Sequence, residues 1–202
     1  KKRNIDITFV GSLYIKSGLH INRINLVYDL LKNFKNTYIS INFSIKNFFQ
    51  LILVLFNFRI GLSLFKKLEI IYKVIFIYIF SQKAVYGEQM FQILKKSKIL
   101  INSHIEDTKY AGNMRLFEGT ALGCLVLTDK KLGLNKLFKL NEEIIVYNNL
   151  NHLIKNCKYY LNNLHMIKKI ANKGKKRSIR SHTYKSRASD LDKIIKKNLA
   201  NK

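Results

Sequence analysis

Short apolar runs rich in Ile and Val alternate along this chain with segments in which apolar residues recur every three or four positions. The first run, residues 5–13, reaches a Gly-Ser pair near its end, which is typical of a buried parallel strand that leads into a loop. Residues 20–34 then have the apolar period of a helix, and residues 37–43 alternate polar and apolar side chains as a strand does. A strand, a glycine-containing loop, a helix and a second strand form a βαβ unit, which indicates an α/β fold.

The same alternation returns after Gly87. The predicted elements there are a helix at 89–96, a strand at 99–102, a helix that starts at the N-cap Asn113 and runs to 122, a strand at 125–128, a short strand at 144–147 and a Lys-rich helical tail. We therefore predict a single Rossmann-like domain over residues 1–202, with a parallel sheet, helices on both faces and a helical tail at 149–202.

Ligands of such sheets bind at the carboxyl ends of the strands. Three places in this sequence qualify, because each lies at or just after the end of a predicted strand: Gly11–Ser12, residues 102–113 and Thr128–Asp129. We expect these loops to meet at one edge of the sheet.

The apolar segment 44–83 interrupts the pattern. Residues 48–58 and 70–80 are each strongly apolar, but charged residues separate them, and neither reaches the roughly 20 residues that a membrane-spanning helix needs. We predict either two buried or interfacial helices here, or one helix and a strand. Contact of this segment with a membrane surface is a further hypothesis, since Lys residues flank it and aromatic residues are abundant.

The chain carries 37 Lys and Arg against 12 Asp and Glu, a formal net charge of +25. One explanation is an anionic partner, such as nucleic acid, an acidic membrane or a phosphate-bearing ligand. The other is a genome rich in A and T, because Lys, Ile, Asn and Phe are all abundant and all have A/T-rich codons. We favour the second and expect no nucleic acid, but a basic protein that binds nucleic acid or an anionic membrane stays open as an alternative.

Cys124 and Cys157 are the two cysteines, without a CxxC pair or paired His spacing, so the sequence indicates neither a zinc site nor a disulfide framework. We expect reduced thiols and a cytoplasmic protein, either free or at the inner face of the membrane. The chain opens without Met and without the apolar core of a signal peptide, so we expect it to be part of a longer protein.

The densest group of polar and small residues is NMRLFEGTALG, residues 113–123. The free amides and the positive dipole end of a helix starting at Asn113 suit a diphosphate, and Arg115 can add a charge-assisted hydrogen bond. Glu118 can accept hydrogen bonds from two vicinal ribose hydroxyls. The alternative is that Asn113 only caps the helix and that Arg115 and Glu118 lie on its solvated side.

This group and several others resemble the C-terminal domain of the CgeB-type (spore-maturation) glycosyltransferases. The segments that carry the resemblance are YGEQM (86–90), SKILINSH (97–104), NMRLFEGTALG (113–123), LTD (127–129), and HTY (182–184) with Arg187. The resemblance extends from the FVGS strand to the HTY tail, apart from about residues 44–83.

The resemblance implies the GT-B architecture, in which two Rossmann-like domains face each other and the C-terminal one holds most of the nucleotide sugar. This chain would be that donor-binding half, and a glycan, lipid or protein would be the acceptor. Such enzymes use protein cations and helix dipoles to neutralise the leaving diphosphate, so we expect no metal and no other cofactor. The general base of an inverting reaction would lie in the other domain, so no catalytic residue is assigned here.

The resemblance also implies roles for single residues. Glu118 corresponds to a glutamate that holds the donor ribose in related retaining families, in which another glutamate eight positions earlier contacts the sugar. Tyr110 occupies that earlier position here, although Glu106 or Asp107 in the same loop are candidate substitutes. This departure keeps a non-catalytic Rossmann-like interaction module open as an alternative.

Four further donor-binding residues are expected: Gly11 and Ser12 beside the phosphates, Arg23 as an additional cation, and His104 facing the transferred sugar. Each has an alternative, since Gly-Ser turns are common, Arg23 is a candidate for a solvated helix residue, and a single His near a strand end is often structural. The tail-motif residues His182, Tyr184 and Arg187 are assigned to packing of the tail helix.

Overall fold

The computed structural model describes residues 3–13, 21–42, 63–104 and 108–200. Its strands are β1 (Ile5–Ser12), β2 (Thr37–Asn42), β3 (Ser97–Asn102), β4 (Leu125–Asp129) and β5 (Ile145–Tyr147). Its helices are α1 (Ile21–Asn33), α2 (Leu64–Phe80), α3 (Gly87–Lys96), α4 (Met114–Ala121), α5 (Leu134–Leu137), α6 (Leu150–Asn162), α7 (Leu164–Ser181) and α8 (Tyr184–Ala200).

Within these residues the strands form a five-stranded parallel sheet in the order β2-β1-β3-β4-β5. Gln82 extends it at the β2 edge through an isolated parallel bridge to Ser40, and its backbone N–H donates to the carbonyl of Ile39 at 2.7 Å. The chain first adds β2 on one side of β1 and later β3 on the other side. The strand order therefore reverses between β1 and β3, which is where ligands of such sheets bind.

Helices cover both faces of the sheet, as predicted. On one face Ile99 and Ile101 of β3 pack in a cluster with side chains of α1, α2, α6 and α7, whereas Leu100 points to a second cluster with α3 and α4 on the other face. Burial on both faces explains the continuous apolar runs of β3 and β4.

Helix α4 lies very close to the sheet. A Cβ atom on Gly119 would overlap the side chain of Leu100, so only glycine permits this approach. On the side of α7, the hydroxyls of Thr120 and Ser178 share a buried hydrogen bond of 2.6 Å. Gly123, with φ +76°, then turns the chain into β4. These contacts fix the axis of α4, whose first residue follows the loop after β3.

The apolar segment 44–83 contains α2, which confirms a helix at 70–80, while residues 48–58 lie outside the described part of the chain. Ile70, Val74 and Ile77 of α2 are buried in the cluster that contains α1. The opposite side of α2 exposes large apolar residues, which are Leu64, Phe65, Leu68, Tyr72, Ile75, Tyr78, Ile79 and Phe80. None of the described helices combines the length and the apolar character needed to cross a membrane.

Two details were not predicted. The four-residue helix α5 was missed because so short a segment has no measurable period. The helical tail is divided into α6, α7 and α8, with breaks at Asn163 and at His182.

Candidate functional site

A cavity of about 750 Å³ opens at the carboxyl ends of β1 and β3, where the strand order reverses. Six of the seven predicted donor-binding residues line it, namely Gly11, Ser12, Arg23, His104, Asn113 and Arg115. The seventh, Glu118, is not among the lining residues but contacts Arg115. The fold thus brings together residues that are up to about a hundred positions apart in the sequence.

Asn113 is the N-cap of α4, as predicted. Its Oδ1 accepts a hydrogen bond from the backbone N–H of Leu116 at 3.3 Å. The N–H groups of Met114 and Arg115 have no acceptor within a helix that begins here, and both residues line the cavity. The positive end of the α4 dipole therefore faces the cavity, an arrangement that favours a bound anion.

A buried amide holds this cap in place. Nδ2 of Asn113 donates to Oδ1 of Asn102 at 2.8 Å, and Nδ2 of Asn102 donates to Oγ1 of Thr128 at 2.9 Å. Asn102 is only 2% exposed, so its side chain depends on these partners. The start of α4 is thereby tied to the carboxyl ends of β3 and β4.

Arg115 and Glu118 form an ion pair one turn apart on α4. Both side chains are largely buried, at 27% and 16% exposure, and the Nε atom of Arg115 is buried without a hydrogen-bond partner among the described residues. The alternative that the two residues lie on a solvated helix face is therefore wrong. Their contact with a nucleotide stays a prediction.

Arg23 is also buried, which contradicts the alternative of a solvated helix residue. Its guanidinium donates to the carbonyl oxygens of Ser12 at 3.0 Å and of Ser103 at 2.8 Å. Arg23 thus joins the loops after β1 and β3 and places a positive charge at the wall of the cavity. Whether that charge meets a phosphate stays a prediction.

His104 is held by Asp129, at the end of β4. Nδ1 of His104 lies 2.7 Å from Oδ1 of Asp129, and the backbone N–H of His104 donates to the same oxygen at 3.0 Å. Burial raises the pKa of Asp129, but these hydrogen bonds from His104 outweigh burial and bring the pKa below its ordinary value. The contact of His104 with a transferred sugar stays a prediction.

Asp129 and Asn102 were not assigned to the site from the sequence, although both lie in the strand-end segments singled out there. Their position at strand ends was the available signal. Their partners depend on the register of β3 against β4, in which Asn102 is paired with Thr128, and no local sequence pattern fixes that register.

Tyr110 lies at the edge of the cavity with 66% of its surface exposed, eight positions before Glu118. Its loop is tied to the segment after β4 by a hydrogen bond from the N–H of Ala111 to the carbonyl of Leu132 at 2.9 Å. Glu106 and Asp107, the suggested substitutes for the missing glutamate, lie outside the described residues.

The packing assigned to the tail motif is confirmed for two of its residues. The His182 ring packs against Phe117 and Phe138, with centroids 5.1 and 4.9 Å away, and Arg187 lies over the Phe117 ring at 5.7 Å. For Tyr184 the prediction was wrong, because its side chain is 89% exposed.

Comparisons with known proteins agree with this geometry. The family model described as "Glycosyl transferase-like" matches residues 66–193. No curated protein sequence matches the chain.

Three solved structures illustrate the similarity in fold. A glycosyltransferase from Rickettsia africae has a TM-score of 0.68 at 18% identity, over 98% of this chain and 49% of that one. HepE from Anabaena, solved in complex with UDP, has a TM-score of 0.64 at 10% identity, over 98% of this chain and 50% of that one. The C-terminal domain of the group 1 glycosyl transferase LpcC from Francisella tularensis has a TM-score of 0.55 at 13% identity, over 88% of this chain and 86% of that domain.

At these identities the similarity shows the fold, which is the Rossmann-like C-terminal half of GT-B glycosyltransferases. The chain spans about half the length of the first two proteins.

Proposed function

The chain belongs to the glycosyl transferase-like family, and on that basis we propose that it is the donor-binding half of a GT-B enzyme that transfers a sugar from a nucleotide sugar. One observation carries this proposal. The cavity at the reversal of strand order is lined together by the Gly11–Ser12 end of β1, the N-terminus of α4 and Arg115.

In this proposal the diphosphate lies between Gly11–Ser12 and the first turn of α4. The N–H groups of Met114 and Arg115 donate to its oxygens, and the helix dipole and the guanidinium offset its charge. The same groups stabilise the nucleoside diphosphate as it leaves, which is the electrostatic contribution that transfer requires. We propose that this occurs without a bound metal.

Binding of the nucleoside changes the partners of Glu118. Its carboxylate is paired with Arg115 in the structure. We expect the ribose hydroxyls to donate to this carboxylate while the guanidinium turns to the diphosphate. Because both side chains are already largely buried, this exchange costs little further desolvation.

The acceptor site and any general base belong, in this proposal, to the other half of the enzyme. The acceptor is a glycan, a lipid or a protein, and the location is the cytoplasm. We further propose the CgeB type within the family. Support comes from the tail motif, in which His182 and Arg187 pack on Phe117 of the NMRLFEGTALG segment and so link two of the motifs that define the resemblance.

Peripheral contact with a membrane is proposed for the exposed side of α2. Exposed apolar patches on basic proteins are typical of surfaces that rest on anionic lipid, and this helix exposes Phe65, Ile79 and Phe80. Sedimentation with vesicles containing anionic lipid tests it. The double variant Phe65→Gln and Ile79→Gln should lose the binding, and equal binding by this variant and the wild type would contradict the contact.

The main proposal is tested by calorimetric titration of the chain with UDP and with GDP. We expect one of these nucleotides to bind, and Arg115→Ala to weaken binding by about ten- to a hundredfold, since it removes a charge-assisted hydrogen bond worth roughly 1.5–3 kcal/mol. Glu142→Ala is the matched control, because it breaks the exposed Glu142–Lys173 ion pair away from the cavity. Binding of neither nucleotide, or equal binding by Arg115→Ala, would reject the proposal.

A further inference from the structure

A continuous set of polar contacts runs from the end of β4 to the start of α4 through His104. Oδ1 of Asp129 contacts Nδ1 of His104 at 2.7 Å, and Nε2 of His104 lies 3.4 Å from the backbone nitrogen of Gly112. Gly112 immediately precedes the N-cap Asn113 and lines the cavity. The imidazole therefore bridges a strand end and the turn from which the anion-binding helix begins.

The contacts at both ends of the ring define one protonation state. A backbone N–H only donates, so Nε2 must be the unprotonated nitrogen that accepts from Gly112. A carboxylate only accepts, so Nδ1 must carry the proton that is donated to Asp129. Asp129 is ionised at neutral pH, because its pKa lies below the ordinary value. Both contacts therefore require the same tautomer, a neutral ring with its proton on Nδ1.

Protein groups enclose the His104 ring. The His104 side chain is 2% exposed, and both of its nitrogens are occupied by protein groups. Gly112 has φ +139°, a conformation that side-chain-bearing residues rarely adopt. The contact of His104 with the Gly112 nitrogen holds this turn, next to the contact of Asn102 with Asn113.

We propose that Asp129 is a positioning residue that acts through His104: it fixes the Nδ1–H tautomer, so that Nε2 accepts from Gly112 and orients the turn at the start of α4 toward the diphosphate. The part that concerns the diphosphate rests on the proposed function. The part that concerns the tautomer and the turn does not, and the two are measured separately.

The tautomer is read from long-range proton–nitrogen NMR spectra of the full chain at neutral pH, and the turn from the hydrogen exchange of the Gly112 amide. In the wild type we expect an unprotonated Nε2. Asp129→Leu removes the acceptor and keeps the number and branching of the side-chain heavy atoms, so the proton should move to Nε2 and exchange of the Gly112 amide should become at least about tenfold faster. Asp129→Asn keeps an Oδ1 that accepts from the same two donors and should behave as the wild type.

Asp6→Asn is the matched control, because it breaks the Asp6–Lys98 ion pair at the opposite end of the sheet and should change neither readout. A wild-type ring protonated at Nε2 would overturn the proposal, and so would a Gly112 amide that exchanges equally fast in Asp129→Leu and the wild type. Should Asp129→Leu fail to fold, the spectra of the wild type and Asp129→Asn still decide the tautomer.

UDP affinity, measured on the same four proteins, tests the link to the donor. We expect Asp129→Leu to bind about five- to tenfold more weakly and Asp129→Asn to bind within about twofold of the wild type. A moved tautomer with unchanged affinity would overturn the role in donor binding. A wild type with the expected tautomer that binds neither UDP nor GDP would reject the proposed function and leave the role of Asp129 in holding the turn supported.

Discussion

Arg115 and Glu118, two of the charged residues predicted to bind the donor, are bound to each other across one turn of α4. The pair lies beside the cavity: Arg115 is one of its lining residues, and Glu118 contacts Arg115 without lining the cavity itself. A ligand that binds both residues therefore meets them as a pair. A nucleoside diphosphate offers one group for each, an anionic diphosphate for Arg115 and ribose hydroxyls for Glu118.

The ribose contact of Glu118 predicts a specific loss of affinity. Glu118→Ala should weaken UDP binding by about tenfold, because two hydrogen bonds to a carboxylate disappear. Binding of 2′,3′-dideoxy-UDP should be weak in the wild type and should not weaken further in the variant. A calorimetric cycle with the two ligands checks this, and an equal loss for both would show that Glu118 acts only by holding Arg115.

The close packing of Gly119 against Leu100 predicts that one added methyl group at this position lowers stability. Gly119→Ala should lower the free energy of unfolding by roughly 1–2 kcal/mol, because overpacking against Leu100 exceeds the gain in helix propensity. Urea unfolding followed by circular dichroism measures this. Leu100→Val in the same chain removes the overlapping methyl and should recover part of the loss, whereas additive losses would contradict a direct overlap.

Much of the fold follows from the sequence, because strands that are buried on both faces, such as β3 and β4, contain unbroken apolar runs. Element boundaries were predicted to within one or two residues where a cap or a glycine marks them, as Asn113 and Gly123 do for α4. The short α5 and the breaks inside the tail have no comparable signal, since their ends depend on tertiary contacts such as those of His182.

The site likewise contains residues that the sequence predicts and residues that it does not. Gly11, Ser12 and Asn113 were found because strand ends and helix starts are visible in sequence and converge in any parallel α/β sheet. The support for those residues was not found, because the Asn102–Thr128 and His104–Asp129 contacts join strands whose alignment is set by packing of the whole sheet. The sequence therefore predicted the residues that line the cavity better than the contacts that hold those residues in place.

The structure predicts effects of different size for two residues of the tail motif. His182→Ala should lower the free energy of unfolding by about 1–2 kcal/mol, because it removes ring packing on Phe117 and Phe138 and the hydrogen bond to the carbonyl of Leu137 at 2.8 Å. Tyr184→Ala should change it by less than about 0.5 kcal/mol, since the side chain is exposed. Thermal unfolding of both variants checks the contrast, and equal effects would contradict it.

The lowered pKa of His182 also predicts how the stability of the chain changes in acid. Burial lowers the pKa of His182 from 6.5, the positive charges of Arg187 and Arg177 lower it further, and the Leu137 carbonyl and Glu143 act in the opposite direction. A histidine with a lowered pKa in the folded state contributes stability above its unfolded pKa and loses it as the pH falls. Protonation also takes away the Nδ1 lone pair, which lies 3.2 Å from a guanidinium nitrogen of Arg187.

Between pH 7 and about pH 5 the wild type should therefore lose more stability than His182→Gln, which has no proton to gain in this range. Asp129 does not contribute to this difference, because both proteins contain it. Its pKa is also lowered, so the stability that depends on its ionised form is lost only in more acidic solution. Urea unfolding at intervals across this range measures the difference between the two curves. Parallel curves would show that the His182 ring titrates as it does in the unfolded chain, and the packing of the tail on Phe117 would then not control its protonation.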